Sequence, residues 1–539
     1  MKDALQVTNL SVSLNRMSDS LELVKGISFS LKTGSILGVV GESGSGKSLT
    51  ALALMNLLDK KVMAVSGNVE LITGDTTVDL LSASYESLAG LRGSEIAMVF
   101  QEPLTSINPN KKCGNQLVEI IMVHRSLIKS EAEAEALRLM VDVGLEEPTR
   151  IMNSYPHQLS GGQLQRVIIA MAICGNPRIL IADEPTTSLD VTSQKEILIL
   201  LKSLQRRLGM SCIFISHDPM VIAEITDEVI VMDKGLIVES GATDEIIKNP
   251  SEEYTRSLLE SRTIPLNQTV ETTHKGERIL IIKDLIKSYQ LNRNPLFNGN
   301  VFINALSNVS ITINKGKIHG IVGESGSGKS TLAKCLVGLE IPDQGEIIFQ
   351  SQSVYSDQLY RLDRKKIQMI FQDPYGSLNP RMKVGASIYE VLKIHNRKVS
   401  RVELKLRVLS LFTQVGLEES MVHRYPHQLS GGQRQRVAIA RAIAVGPDIL
   451  ICDEAVSALD IPVQAQILQL LISLKDKYNL TIIFISHDLS VIRSICDRVT
   501  VLFKGRVEEE GAVVDIFNHP QTEYTKTLIS SIPGKNYLI

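Results

Sequence analysis

Short apolar runs alternate with longer amphipathic stretches along this chain of 539 residues. "SILGVV" at residues 35–40 and "KIHGIV" at 317–322 are nearly unbroken apolar blocks, and each predicts a buried strand. "RILIADE" and "SCIFISHD" predict parallel strands with polar groups at their carboxyl ends, where open α/β sheets hold ligands. "LTALALMNLL" and "TLAKCLVGL" have helix-type spacing. Residues 102–158 and 373–428 are richer in helical pattern and predict a helical insert between two groups of strands. The expected class is α/β, with a mostly parallel core sheet.

The same pattern occurs twice. "SYPHQLSGGQLQRVIIAMAI" matches "RYPHQLSGGQRQRVAIARAI", "ILIADE" matches "ILICDE" and "CIFISHD" matches "IIFISHD", each pair 270 residues apart. The stretch "GESGSGKS" at 41–48 returns 282 residues later, at 323–330. The first copy therefore carries about 11 extra residues, expected within 66–93. So long a period signals a duplicated domain rather than a solenoid. The expected organisation is a domain over 1–261, a polar linker over 262–277 without apolar periodicity, and a second domain over 278–539.

Composition narrows the function. Hydrophobic residues make up 44% and charged residues 22%, which suits packed cores and argues against wholesale disorder. The net charge of −2 shows no basic surplus of the kind nucleic-acid binding draws on. The six cysteines form no CxxC pair, sit mostly in apolar surroundings and read as small buried hydrophobes. No signal peptide is expected from "MKDALQVTNLSV", and no apolar run is long enough to span a bilayer. A cytoplasmic protein that reaches a membrane through partners is expected.

The chemistry begins with the glycine loops. GxxxxGK[ST] needs glycines because the backbone must fold round phosphate oxygens without side chains intervening. Gly41, Gly44 and Gly46 supply this in the first copy and Gly323, Gly326 and Gly328 in the second, with Ser43 and Ser325 as further nucleotide-binding positions of the same loops. Lys47 and Lys329 would reach the β- and γ-phosphates, Ser48 and Ser330 would ligate Mg²⁺, and Thr331 adjoins the second loop. Asp183 and Asp453 end apolar strands where a carboxylate would hold Mg²⁺. Glu184 and Glu454, next in line, are placed to polarise an attacking water. His217 and His487 follow "FIS" and fit γ-phosphate sensors, whereas Gln101 and Gln372 fit sensors of Mg²⁺ and water where the helical insert begins.

A second anion site lies in "LSGGQ". Ser160, Gly161, Gly162 and Gln163, and likewise Ser430, Gly431, Gly432 and Gln433, open a helix-type segment. A domain that already has a phosphate loop gains nothing from another unless it serves a second nucleotide. Each copy is therefore expected to offer its LSGGQ to the nucleotide held by the other.

These motifs resemble the ATP-binding cassette (ABC) ATPases over nearly all of both halves, through Walker A, Q-loop, signature, Walker B, D-loop ("SLD" at 188–190, "ALD" at 458–460) and H-loop. "FQEPLTSINP" and "FQDPYGSLNP", with the tails Pro250-Ser-Glu-Glu-Tyr254-Thr255 and Pro520-Gln-Thr-Glu-Tyr524-Thr525, are similar to the peptide/nickel importer subfamily. The pair of fused cassettes resembles the ATP-binding components of microcin C/oligopeptide, glutathione or dipeptide transporters. The resemblance implies two P-loop ATPase domains closing head-to-tail on two MgATP. It further implies two transmembrane permease subunits, an external substrate-binding protein, no nucleic acid, one chain per transporter and a peripheral place at the cytoplasmic face of the inner membrane. Coupling to the permeases would run through residues 101–109 and 372–380 and through "SYPHQ" and "RYPHQ".

Three departures from the family pattern stand out. Tyr289 fits the adenine-stacking aromatic of the second copy, but Leu14 occupies that place in the first. Leu164 stands where Arg434 continues the second signature. Neither tail has the cysteine cluster that would hold an iron–sulfur centre, and none is expected. Translation-associated tandem ATPases carry a long charged linker, and DNA-repair ATPases of this type carry zinc-binding CxxC pairs or a coiled coil. This chain shows neither, and the importer reading is preferred.

Overall fold

The computed structural model describes residues 2–15, 21–74, 76–187, 189–260, 276–291, 301–356, 359–373, 375–396, 398–457 and 459–534. The expected linker, except Gly276 and Glu277, lies outside the described residues, as do Ser188 and Ala458 of the two D-loops and Pro374 of "FQDP". The chain forms two compact units, one carrying the elements up to Glu260 and the other those from Arg278 to Ser530.

The first unit is built on a six-stranded sheet. Ile36–Val40 lies at its centre, parallel to Ser211–Ser216 on one side and to Glu228–Asp233 on the other. Ile179–Asp183 and Ile96–Val99 continue the parallel run, and Leu236–Ala242 closes the opposite edge antiparallel. The three central strands Ile36–Val40, Ser211–Ser216 and Ile179–Asp183 are buried at every position, which is why they read as unbroken apolar blocks rather than alternating ones. A four-stranded antiparallel sheet pairs Asp3–Leu14 with Leu21–Lys32 and Met63–Thr73. Between Ile96–Val99 and Ile179–Asp183 come the helices Cys113–Arg125, Lys129–Asp142 and Gly161–Ile173, with shorter turns. The helical insert read from residues 102–158 is thus present.

The second unit repeats this plan around Ile318–Val322, flanked in parallel by Thr481–Ile485 and Arg498–Phe503. Phe214 and Phe484, 270 positions apart, are both fully buried. The extra length of the first unit goes into the long strand Met63–Thr73, its hairpin partner Thr76–Asp79 and the helix Tyr85–Leu91.

One core pair distinguishes the units. Leu37 and Ile230 of the first unit are replaced by His319 and Thr500, and His319 Nε2 lies 2.8 Å from Thr500 Oγ1 in a fully buried contact. Burial, with the Arg498 charge, pushes the His319 imidazole down from its ordinary value to about 4. The neutral ring is favoured in the fold, so the unfolded chain binds the extra proton between about 6.5 and 4. Stability is full above this window and is lost as pH falls through it, by about 2 kcal/mol at pH ~5. Urea unfolding at several pH values should show this loss, and His319→Leu with Thr500→Ile should remove that contribution.

Candidate functional site

Each glycine loop leaves a buried strand and enters a helix, Ile36–Val40 into Lys47–Leu54 and Ile318–Val322 into Lys329–Leu336. Gly41, Gly44 and Gly46 have φ of +157°, +84° and +103°, and Gly323, Gly326 and Gly328 repeat them at +151°, +81° and +103°. Side-chain-free backbone of this shape forms a concave row of N–H groups suited to phosphate. A Cβ on Gly44 or Gly326 would meet nothing within 4 Å, so the crest of each loop is open.

The lysines close the loops from inside. Lys47 Nζ donates to the carbonyls of Gly41 and Glu42, both at 2.8 Å. Lys329 Nζ does the same to Gly323 at 2.7 Å and Glu324 at 2.8 Å. Each is only 5% exposed. Burial holds the Lys329 ammonium below its usual value, against the pull of Glu454 and Asp453.

Ser48 Oγ donates to Asp183 Oδ1 at 3.1 Å, and Ser330 Oγ to Asp453 Oδ1 at 3.2 Å. A hydroxyl and one carboxylate are the hard oxygen donors that Mg²⁺ accepts when nucleotide phosphates and water complete its shell. The residues present therefore fit the cation together with ATP. Among the described residues no cluster of three His, Cys, Asp or Glu could hold a metal by itself. Burial raises both aspartates, Asp183 to about 6, with the Ser48 hydroxyl opposing.

Glu184 and Glu454 follow these strands in the left-handed region, at φ +47° and +48°. Their N–H groups still bond to Ile215 and Ile485, so the ladder runs one residue past each strand before the chain turns. This conformation costs a non-glycine residue about 1–2 kcal/mol, and such strain gathers at working sites. It aims the carboxylates at their partners. On Glu184 Oε2 three groups meet: Gln101 Nε2 at 3.2 Å, His217 Nδ1 at 3.1 Å and Thr187 Oγ1 at 2.8 Å. Burial pushes the Glu184 carboxyl up, but the hydrogen bond and charge of His217, with Thr187 and Lys47, outweigh it and hold it at about 2. Glu454 Oε2 receives Gln372 Nε2 at 2.7 Å and faces His487 Nδ1 at 3.4 Å, and its carboxyl is likewise lowered against burial. Both histidines are raised by their glutamates against the effect of burial.

Thr187 is a site residue that the motif reading missed. The turn backbone is alike in both units, with Thr187 N–H to Glu184 O and Ser457 N–H to Glu454 O each at 3.2 Å. Only the hydroxyls differ, because Ser457 Oγ donates to the Glu454 carbonyl instead of its carboxylate. Threonine is stiff at χ1 where serine rotates, and a one-residue difference inside a shared motif gave no signal of this.

The LSGGQ segments are helix caps. Ser160 and Gln163 bond each other's backbone N–H at 3.3 Å, as do Ser430 and Gln433 at 3.0 and 3.3 Å. This S-x-x-Q capping box starts the helices Gly161–Ile173 and Gly431–Ile443, with Ser160 and Ser430 exposed. Arg434 ties the second segment to the Leu429 carbonyl at 3.0 Å, whereas Leu164 is buried in its core. Tyr289 packs beside the second loop, where burial raises its hydroxyl against a hydrogen bond with Thr331, and Lys287 lies 5.5 Å from its ring centre. Leu14 is half-buried at the end of its strand.

The ABC transporter family model matches residues 24–187 and 306–457. The model for the oligopeptide/dipeptide transporter C-terminal region matches 238–281 and 508–536. The chain is 42% identical to the glutathione import ATP-binding protein GsiA of Salmonella paratyphi A, over 99% of this chain and 90% of that one. It is 41% identical to the peptidoglycan transport ATP-binding protein YejF of Agrobacterium fabrum, over 98% and 96%. Among the described residues no helix is long and apolar enough to cross a membrane. Two phosphate loops, each with its own carboxylates, glutamine and histidine, and two matches to one family model make this chain an ATP-hydrolysing ABC transporter ATP-binding protein with two cassettes, of the oligopeptide/dipeptide subfamily.

Proposed function

We propose that this chain is the motor of an importer for peptide-like compounds, glutathione or short peptides among them. The observation that carries this reading is the oligopeptide/dipeptide transporter C-terminal region, matched in both halves. The names of the glutathione and peptidoglycan relatives support it. The chain would sit peripherally at the cytoplasmic face of the membrane, one copy beneath two permease subunits, fed by an external binding protein.

Two composite ATP sites would do the work. The first joins Lys47, Gln101, Asp183, Glu184 and His217 to Ser430, Gly431, Gly432 and Gln433. The second joins Lys329, Gln372, Asp453, Glu454 and His487 to Ser160, Gly161, Gly162 and Gln163. Bound MgATP supplies the phosphoryl group that is transferred to water. The lysines neutralise phosphate charge, and Ser48 with Asp183, or Ser330 with Asp453, holds the cation. Glu184 and Glu454 accept the proton of the attacking water. His217 and His487 keep those carboxylates in place, and Gln101 and Gln372 relay the state of the site to the helical insert. Tyr289 would stack on adenine in the second site. The intact residue sets and the exposed cap serines in both units support two working sites.

Cells carrying Glu184→Gln with Glu454→Gln should lose uptake of labelled glutathione or short peptides. Undiminished uptake of all of them would contradict the proposed cargo class. Each single variant should lower ATP turnover. If Glu184→Gln leaves turnover untouched while Glu454→Gln abolishes it, the two sites are not equivalent.

A further inference from the structure

The tail motif P-x-x-x-Y-T has no part in the chemistry described so far, yet in both units its tyrosine reaches the phosphate loop. The N–H of Glu42 donates to Tyr254 Oη at 3.1 Å across 212 positions of sequence. The N–H of Glu324 donates to Tyr524 Oη at the same distance. These N–H groups belong to the Gly41–Glu42 and Gly323–Glu324 peptide planes, whose carbonyls accept from Lys47 and Lys329. The peptide group is planar, and its C=O and N–H point in opposite directions. One rigid plate is therefore held on one side by the phosphate-binding lysine and on the other by the tail tyrosine. Little slack remains, because a Cβ on Gly41 would lie 2.1 Å from the Met232 carbonyl oxygen, and one on Gly323 would lie 2.2 Å from that of Leu502.

The tyrosine is itself held by the edge strand. Glu239 accepts the N–H groups of Ser251 and Glu252 at 2.8 and 3.4 Å, just before the tail helix Glu253–Glu260. Glu509 accepts those of Gln521 and Thr522 at 3.0 and 3.3 Å, ahead of Glu523–Ser530. In the second unit the Phe503 ring packs 4.1 Å from Tyr524, centre to centre. The connection runs from edge-strand glutamate to tail helix, from tyrosine to peptide plane, and from that plane to the lysine.

We infer that Tyr254 and Tyr524 are positioning residues for nucleotide binding: each orients the peptide plane that sets Lys47 or Lys329, so that ATP affinity depends on how the tail is docked. The inference rests on the phosphate loops and not on the cargo.

The test is an equilibrium titration of the full chain with MgADP, in a Lys329→Ala background that leaves the first loop to report. Tyr254→Phe keeps the ring and removes only the hydroxyl. Its Kd should rise about five- to tenfold, as expected when the Gly41–Glu42 peptide plane that sets Lys47 is no longer preorganised. The lost hydrogen bond should lower Tm by only about 2–4 °C, so the unit stays folded at the temperature of the titration. In steady-state turnover with the same background, KM for ATP should rise by a similar factor and kcat should change less than about twofold. Glu239→Ala, which undocks the tail without touching the tyrosine, should raise Kd in the same direction. A Kd within twofold of the parent for Tyr254→Phe would overturn the inference, whatever Glu239→Ala does. Adding Lys47→Ala to the background should abolish the remaining binding. If binding persists there, the assignment of the loop itself fails, separately from the role of the tail.

Discussion

Replacing Glu184 and Glu454 together by glutamine is expected to lower ATP turnover about a hundredfold or more, while MgATP still binds. The amide is close to isosteric, and its oxygen can accept from the glutamine and histidine that now meet at Oε2 of each carboxylate. What is lost is the base. A neutral amide cannot take a proton from water, and the neighbouring Asp183 and Asp453 are turned to Ser48 and Ser330. A second readout accompanies the first. Glu184 and Glu454 raise the imidazoles of His217 and His487 against burial, so in the double variant burial prevails and both should titrate at lower pH. NMR of the ring protons would report that shift, and phosphate release would report the rate. A variant that keeps more than a tenth of the turnover would place the base elsewhere.

The second large effect belongs to Gly41. Alanine there is expected to destabilise the first unit by about 3 kcal/mol or more and to abolish MgATP binding to its loop. The added Cβ would lie 2.1 Å from the backbone oxygen of Met232, in the strand Glu228–Asp233 that is paired on both sides and has no freedom to move away. Gly44, three residues on, is a control within the same loop. It also has a positive φ, but a Cβ would enter open space, so Gly44→Ala should cost only about 1–2 kcal/mol. Thermal unfolding and nucleotide titration of the two variants would separate close approach from backbone conformation. Equal losses at both positions would contradict the assignment.

The duplicated fold and most of the site were legible because the chemistry is compact in sequence. A phosphate loop occupies eight consecutive positions, and Asp183-Glu184 ends a strand whose apolar run announces it. Repetition at a constant interval removed the ambiguity that a lone Asp-Glu pair or a lone histidine carries. Features that depend on one atom of a side chain were not legible. Thr187 and Ser457 look equivalent in a motif, and only the rotamer separates a hydroxyl on a carboxylate from one on a carbonyl. Tyr254 and Tyr524 were visible as a tail signature, but nothing local points them at a loop some 200 positions away. His319 was read merely as part of an apolar strand, because its partner Thr500 is supplied by a strand 181 positions on.

As the proposed motor of an importer, this ATPase should be held at the membrane by permease partners. The most direct test is to purify the tagged chain from native membranes in mild detergent and identify what comes with it by mass spectrometry. Two polytopic membrane proteins in near-equal amount are the predicted result. Ribosomal proteins, or no membrane protein at all, would contradict it.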